Sequence, residues 1–439
     1  MSRYDTVYDV MVIGAGFAGM AATLFAAQHG LSVAQTGSTG GIDFSTGFLD
    51  LMAIHPTESG TRWKDPWAAI DALRHDALRS SAPHPYTRIS REEIQNAMDA
   101  FTNFLASRNL AYTGDARHNT AVLTPAGTIK HTWRVPVTTA KGAQALQDAA
   151  PTLIVDFHGL KGFSARQIQA MQAPRWPSLR AERVAFPGTV GELYPEHMAW
   201  TLGIPERCEE LAALVAPLAR DVDYIGFPAV LGLHDPVRTV SMMEELTGKS
   251  VFEIPTLPPS VTGPRLRSVF DRGLAPLGVT TFSQKLVQSV QRTDEGLFRF
   301  SIGDGTDTRT LHARGAILAS GRLFGKGLRA DRNRLYEPLF DIPVTQPQTR
   351  AAWHRETFLD SRGHPVNRAG IEVDDTMRPL TAQNVPLHDT LFAAGAILAH
   401  HDWMRQKCGA GLAIATAARA VKELAATLGR PAERRKEHA

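Results

Sequence analysis

Two cysteines, Cys208 and Cys408, are all that this chain of 439 residues contains. An iron–sulfur cluster generally takes four cysteine ligands, so none is expected here, and no metal site is expected either. No apolar run approaches the roughly 18 residues of a membrane-spanning helix. The first strand begins within ten residues of Met1, which leaves no room for a signal peptide, and the reducing cytosol is the expected compartment. Net charge is only +3, and no basic block is long enough to argue for nucleic acid. The basic tail from Arg430 to His438 reads as a solvated end. Internal repeats and low-complexity tracts are absent. What remains is an ordinary globular composition, 43% hydrophobic and 21% charged, long enough to bury a large core in two domains.

The strongest positive signal is at the start. The apolar run Val10 to Ile13 reads as a buried parallel strand, and Gly14-x-Gly16-x-x-Gly19 follows at once. An alanine-rich helical stretch, Ala18 to His29, and a second apolar stretch, Leu31 to Ala34, complete a βαβ unit. In such a unit the first glycine permits a tight turn. The second lets backbone approach a phosphate, and the third lets the helix pack on the sheet while its N-terminus faces the anion. Phe17 and Ala18 open that helix and belong to the expected cradle. The second strand then breaks a rule. Dinucleotide binders place Asp or Glu at its end for the ribose hydroxyls, but this chain reads Val33-Ala34-Gln35-Thr36-Gly37. Either Gln35 or Thr36 holds the ribose through a weaker, uncharged contact, or the ligand is a mononucleotide.

A Gly/Ser/Thr-rich loop runs from Thr36 to Asp50. Ile42, Phe44, Phe48 and Leu49 make it too apolar for a solvated linker, so Gly40, Gly41, Ser45, Thr46 and Gly47 are expected to meet the ligand. Pro66 to Ser80 reads as a helix. Ser90-x-x-Glu93 is a capping box, opening a helix with Ile94, Met98, Phe101 and Leu105 on its core stripe. Ala121 to Leu123 and Thr128 to Trp133 form a hairpin around Thr124-Pro125-Ala126-Gly127. Strands at 152–157, 224–231 and 251–254 alternate with helices near 205–219 and 235–248, an α/β region placed to cover the cofactor. Ser260 is expected to cap a helix beginning near Pro264. Short strands between Gly278 and Phe300 turn at Thr293-Asp294-Glu295-Gly296.

Two later segments return to the nucleotide. Arg314 to Leu318 is an apolar strand ending in Ala319-Ser320-Gly321, and it resembles the Ala-Thr-Gly strand end of glutathione-reductase-type flavoproteins. Thr390 to Gly395 is a buried strand, with Ala396 beyond it, and Gly409-Ala410-Gly411 opens the alanine-rich helix Leu412 to Leu424. In that superfamily such a helix tip faces the pyrimidine end of the isoalloxazine, where its dipole and free N–H groups stabilise the negative charge of the reduced ring by about 1 kcal/mol or more.

With Phe44 to Leu51, Pro255 to Val261 and the Cys408-Gly409-Ala410-Gly411 helix start in view, the chain resembles the B-subunit, a flavoprotein, of the anaerobic glycerol-3-phosphate dehydrogenases. The similarity runs from first strand to last helix, with 160–220 matching least. The resemblance implies an α/β fold, with a Rossmann-like flavin-binding domain of the glutathione-reductase/fumarate-reductase flavoprotein type and an inserted second α/β domain. Residues 1–130 and 256–439 would form the flavin domain, and 131–255 the capping or substrate domain. It implies FMN, with FAD also possible, and oxidation of sn-glycerol 3-phosphate to dihydroxyacetone phosphate with electrons passed to quinone. It implies partners too, a catalytic FAD subunit and an iron–sulfur subunit that holds the complex on the inner face of the cell membrane. The residues agree that an outside acceptor is needed, since the chain has no cluster, no second full fingerprint and no membrane span.

Removing hydride from a secondary alcohol needs a base, and histidine titrates in the right range. His400 and His401, just past the Phe392 to Gly395 strand, are the expected candidates, followed by His131 with Arg134, and by His84. Arg265, Arg322, Lys326 and Arg378 are candidate anion ligands, each read as a solvated or salt-bridged surface group. Cys408, beside a helix start where a thiol pKa falls, reads as a small packing residue. Three functional readings stay open: the dehydrogenase subunit itself, an electron-transfer flavin subunit with no substrate of its own, and a stand-alone flavin dehydrogenase or oxidase. Against them stands a cofactor-free structural role.

Overall fold

The structure, a computed structural model, describes residues 6–38, 40–79, 82–188 and 191–430. Thr39, the expected helix end at Ser80 and the tail beyond Arg430 lie outside them. Val7–Ile13 forms the middle of a seven-stranded sheet, pairing in parallel with Val33–Gly37 on one side and Arg309–Leu318 on the other. Thr280–Ser283 extends the sheet beyond 33–37. Leu391–Ala393 pairs in parallel with the end of 309–318, while 298–302 and 287–292 continue it antiparallel. The continuous apolar runs Val10–Ile13 and Ala316–Leu318 are nearly solvent-free, as expected of parallel strands covered on both faces. The helix Phe17–Gln28 is buried along almost its whole length because it lies between this sheet and the late helix Gly409–Thr427. Its alanines and glycine let two helix backbones approach closely.

Four strands, Ser250–Ile254, Tyr224–Pro228, Thr152–Phe157 and Leu179–Val184, make a second, wholly parallel sheet with its own core. Helices Pro205–Val215 and Pro236–Thr247 lie between its strands in sequence. Thr120–Leu123 and Ile129–Thr132 form the hairpin read from the sequence. The helix Arg91–Ala106 opens with the reciprocal Ser90–Glu93 capping box, and Ile94, Met98, Phe101 and Leu105 are buried. The Ser260 cap is corrected. The helix runs Thr262–Leu274, its start receives no side-chain cap, and the Ser260 hydroxyl accepts instead from the Thr256 N–H at 3.3 Å. Among the described residues no helix is long and apolar enough to cross a membrane, and no group of three or more His, Cys, Asp or Glu is placed to hold a metal.

Candidate functional site

The first strand delivers the chain to Gly14 with φ +139°, a conformation closed to L side chains. A Cβ there would lie 2.1 Å from the Ala319 carbonyl oxygen, and a Cβ on Gly19 would lie 2.1 Å from that of Gly14. Both glycines are therefore required by packing, and the first brings the Ala319-Ser320-Gly321 strand end onto the fingerprint turn. Gly16 is different. Its φ is an ordinary −86°, and an added Cβ would meet nothing nearer than the Gly41 nitrogen at 3.8 Å. The helix that Gly16 caps has no side-chain cap and no acid in its first turn. The first-turn N–H groups of Phe17, Ala18 and Gly19 thus face a space the fold itself leaves open, which is the arrangement an anion requires.

Gly40 closes one side of this space: its Cβ would sit 2.2 Å from the Ala15 carbonyl, so the loop after the second strand lies directly on the turn, with Gly41 exposed beside it. On the other side, Gly395 (φ +78°) would put a Cβ 2.5 Å from that of Ala18, and its N–H donates to the Thr416 hydroxyl at 2.9 Å. Ala396 beside it is half-buried. Gly321 also has positive φ, and the buried Ser320 hydroxyl has no partner among the described residues. The amino-terminal turn, the mid-chain strand end and the Gly395 turn therefore meet at one edge of the sheet, outside the carboxyl ends of its strands.

Other expected ligands are already engaged. Gln35 is 1% exposed and its amide donates to the Gly14 carbonyl at 3.2 Å. Thr36, equally buried, donates to the Lys285 carbonyl at 2.7 Å. The expected ribose contact through either side chain is corrected: both brace the βαβ unit from inside. The Ser45 hydroxyl accepts from the Gly47 N–H, while the Gly47 carbonyl accepts from the Tyr112 hydroxyl at 2.7 Å. Thr46 is half-buried beside them. At the late helix tip the Gly411 N–H donates to the Asp50 carbonyl at 2.7 Å, and a Cβ on Gly411 would lie 2.5 Å from the Tyr86 hydroxyl oxygen. Gly411 thus serves packing rather than presenting a free donor. The helix start at Cys408 has no side-chain cap, which leaves Gly409 and Ala410 as the tip's exposable donors. Cys408 is fully buried, and burial pushes its thiol above the usual range, with Asp50 and Asp402 adding to the effect, so the expected fall is corrected.

The histidine pair divides. His401 is 0% exposed, and burial holds it well below the usual histidine range, helped by the Arg322 guanidinium. Its Nε2 lies 3.2 Å from Arg322 Nη2, its ring meets His84 edge-on at 5.9 Å, and its Nδ1 has no partner among the described residues. His400 occupies the left-handed region at φ +67°, and its Nε2 pairs with Glu372. Burial pushes Glu372 upward, but the bonds from His400 and Thr345 bring it below its usual range, so it is ionised at neutral pH. Arg322 is no surface residue. It donates to the carbonyls of Asn367, Leu398 (2.8 Å) and His401 (3.0 Å), and has no carboxylate within ion-pair distance among the described residues. Burial draws it down to about 10, so it stays charged. Nothing local in the sequence announces this clamp. Arg265 is likewise buried, in a two-bond pair with Glu253 at 2.7 and 2.8 Å, and Arg378 is paired with Asp374 at 2.8 Å. Lys326 is exposed. Arg134 stacks 3.9 Å over Trp133 and donates to the Asp115 carbonyl, and His131 lines a cavity together with Asp115 and Asn119.

The chain matches the family model of an FAD binding domain over residues 9–412. It is 32% identical over 424 residues to the probable anaerobic glycerol-3-phosphate dehydrogenase B-subunit of Halobacterium salinarum, covering 93% of this chain and 95% of that one. It is 29% identical over 441 residues to the anaerobic glycerol-3-phosphate dehydrogenase B-subunit of Vibrio cholerae, covering 96% and 97%. Among solved structures, the 3-ketosteroid delta1-dehydrogenase of Sterolibacterium denitrificans aligns with 13% identity and a TM-score of 0.45, over 96% of this chain and 100% of that one. The open cradle at Gly16, the uncapped helix behind it, the family model and the two glycerol-3-phosphate dehydrogenase relatives agree: this chain is a flavoprotein oxidoreductase and belongs to the family of anaerobic glycerol-3-phosphate dehydrogenase B-subunits.

Proposed function

We propose that the chain is the flavin subunit of a complex that oxidises sn-glycerol 3-phosphate to dihydroxyacetone phosphate, with electrons leaving through an iron–sulfur partner to quinone at the inner face of the cell membrane. One observation carries the reading: space at Gly16 is kept open against uncapped helix N–H groups, in a chain nearly co-linear with relatives named for that substrate. The flavin phosphate, of FMN or of FAD, would be held by the turn Gly14, Gly16, Phe17, Ala18 and Gly19, walled by Gly40 and Gly41. The ring would be met by Ser45, Thr46, Gly47, Ser320, Gly321, Gly395, Ala396, Gly409 and Ala410. When bound, the flavin supplies a two-electron acceptor. The segment 131–255 acts as the cap over it.

Of the two histidines, His400 is the better base for the substrate hydroxyl. Glu372 orients its ring through the contact at Nε2. Its left-handed backbone is the sort of strain that the surrounding structure maintains at functional positions. His401, enclosed and clamped by Arg322, positions the loop. A second reading, an electron-transfer subunit whose carbon chemistry belongs to a partner chain, is favoured by the enclosure of His401 and by the exposed pair Phe44 and Phe324. Their rings meet edge-on at 5.3 Å beside the Gly41 and Gly321 turns, an apolar rim suited to a partner protein. Anaerobic addition of sn-glycerol 3-phosphate to the purified chain separates the two. Bleaching of the flavin, lost in His400→Gln, supports the first. Bleaching only when the partner chains are present supports the second, and a colourless purified protein refutes both.

A further inference from the structure

Phe358 and Leu359 are neighbours in the turn 354–364, and they are 85% and 77% exposed. A large apolar pair so bare marks a contact surface. The turn that carries it is braced from within. The Arg355 N–H donates to His364 Nδ1 at 3.0 Å, so that ring carries its hydrogen on Nε2, which lies 3.0 Å from the Phe358 carbonyl oxygen. Arg355 Nε donates to the Gly363 carbonyl at 3.0 Å, and the Asp360 N–H to the Thr357 carbonyl at 3.1 Å. The Asp360 carboxylate is held by the Arg362 N–H at 2.9 Å and by its guanidinium at 2.6 Å. The polar groups of the turn are therefore spent inside it, and the apolar pair is what it presents.

The base of the turn lies on the short helix Trp403–Gln406. A Cβ on Gly363 would meet Arg405 Cγ at 3.1 Å, and the Asn367 amide donates to Asp402, which caps that helix, at 3.1 Å. The helix adds Trp403 and Met404, both exposed, so four large apolar side chains stand on two adjoining elements. The charge around them is positive. Asp360 and Glu58 are taken by Arg362 and Arg368 at 2.6 and 2.7 Å, and Asp402 is buried. Exposed Glu356 remains, against Arg350, Arg355 and Arg405, none of which has a carboxylate within ion-pair distance among the described residues. Apolar tips with unpaired cations at their flanks and an indole at the side complement a negatively charged lipid surface.

We infer that this face seats directly on an anionic bilayer, with Phe358 and Leu359 entering the boundary between headgroups and acyl chains. Trp403 and Met404 follow at the rim, and Arg350, Arg355 and Arg405 meet the lipid phosphates. The observation that favours lipid over a protein partner is the bonded Phe358 carbonyl. Hydrocarbon offers no donor, so a backbone carbonyl carried into it must bring its own, and His364 supplies one. The chain would lie on the bilayer rather than cross it, in keeping with its helices. The contact deepens the proposed placement at the inner face of the membrane, which it makes direct, and rests on no part of the redox chemistry.

The test is flotation of the full flavin-loaded chain with vesicles of phosphatidylcholine alone and of phosphatidylcholine mixed with phosphatidylglycerol. Flavin bleaching by sn-glycerol 3-phosphate is followed in parallel. The expected result is binding to the anionic vesicles, about tenfold or more weaker on the neutral ones and likewise weakened by salt. Phe358→Ser with Leu359→Ser should weaken binding to the anionic vesicles by about a hundredfold or more. Both side chains are exposed, so melting temperature, flavin content and bleaching should hold. No binding to anionic vesicles, or binding undiminished in the double variant, would overturn the proposal. So would a parent that fails to float while the double variant loses its partner chains, which would assign the face to a protein. Bleaching absent with variant-sensitive flotation intact refutes only the redox reading; bleaching intact without flotation refutes only this contact.

Discussion

Gly14 and Gly16 stand two residues apart in one motif, yet substitution should separate them completely. At Gly14 an alanine Cβ would lie 2.1 Å from the Ala319 oxygen and 2.6 Å from its carbon, where ordinary contact begins at 3.4 Å, and φ is +139°. Left-handed strain and backbone overpacking each cost about 1–3 kcal/mol, so Gly14→Ala should destabilise the protein by roughly 3 kcal/mol or more. At Gly16 the nearest atom is 3.8 Å away and φ is −86°. Gly16→Ala should leave stability within about 0.5 kcal/mol. Gly16→Glu should fold as well, but its side chain would occupy the anion's place and add like charge. A hydrogen bond to a charged group contributes about 1.5–3 kcal/mol, so losing two of them weakens flavin binding by roughly 10²–10⁴-fold, before repulsion is counted. The assay pairs visible flavin absorbance per chain after purification with urea unfolding of the apoprotein. A Gly16→Glu protein that is yellow at unchanged stoichiometry, or a Gly14→Ala protein as stable as the parent, would show that the space at Gly16 is not the phosphate cradle or that the turn relaxes freely.

Three other perturbations probe the surroundings. Burial pushes His84 down to about 3 from 6.5, so below pH 6.5 the unfolded chain takes up a proton that the native state refuses. The stability associated with its neutral form is complete above pH 6.5 and is lost as pH falls toward 3, by up to about 5 kcal/mol; His84→Asn should flatten that slope in urea midpoints measured across the range. Glu93 is brought down to about 2: burial pushes it up, but Lys422, the Ser90 N–H and Arg419 together outweigh that. Its contribution is present above pH 4.5 and lost as pH falls toward 2. Because the group is partly solvated, Glu93→Gln should cost only about 1 kcal/mol at neutral pH and almost nothing at the acid end, and an equal cost at both would refute the assignment. Arg322→Met strands three carbonyls and should destabilise by about 2–4 kcal/mol. It also removes a cation that depresses His401, whose ring should then titrate at higher pH by nuclear magnetic resonance, and an unmoved titration would count against the clamp.

Features set by near neighbours in sequence were legible. The strand, glycine turn and helix at 10–29, the Ser90–Glu93 box and the Thr124–Gly127 turn each contain their own cause within a few residues. Features set by distant partners were not. Ser260 has the chemistry of a cap, but Gly263 must lie against the Asp43 carbonyl, 2.2 Å from its would-be Cβ, and the hydroxyl turns back to Thr256. Arg322 sits among glycines and Lys326, a pattern typical of a surface loop. Its true environment is three carbonyls at 367, 398 and 401, supplied by a segment that folds back over the strand end. Gln35 stands where an acid was wanted, and its amide instead braces the Gly14 carbonyl, a use that a carboxylate, lacking a donor, could not fill. The fingerprint itself carries the same lesson. Three glycines at fixed spacing look equivalent on paper, but Gly14 is required by Ala319, more than three hundred residues on, and Gly19 by Gly14. Only Gly16 has no neighbour that demands its bareness. A glycine that the fold does not need, at the mouth of an uncapped helix, is explained by a ligand.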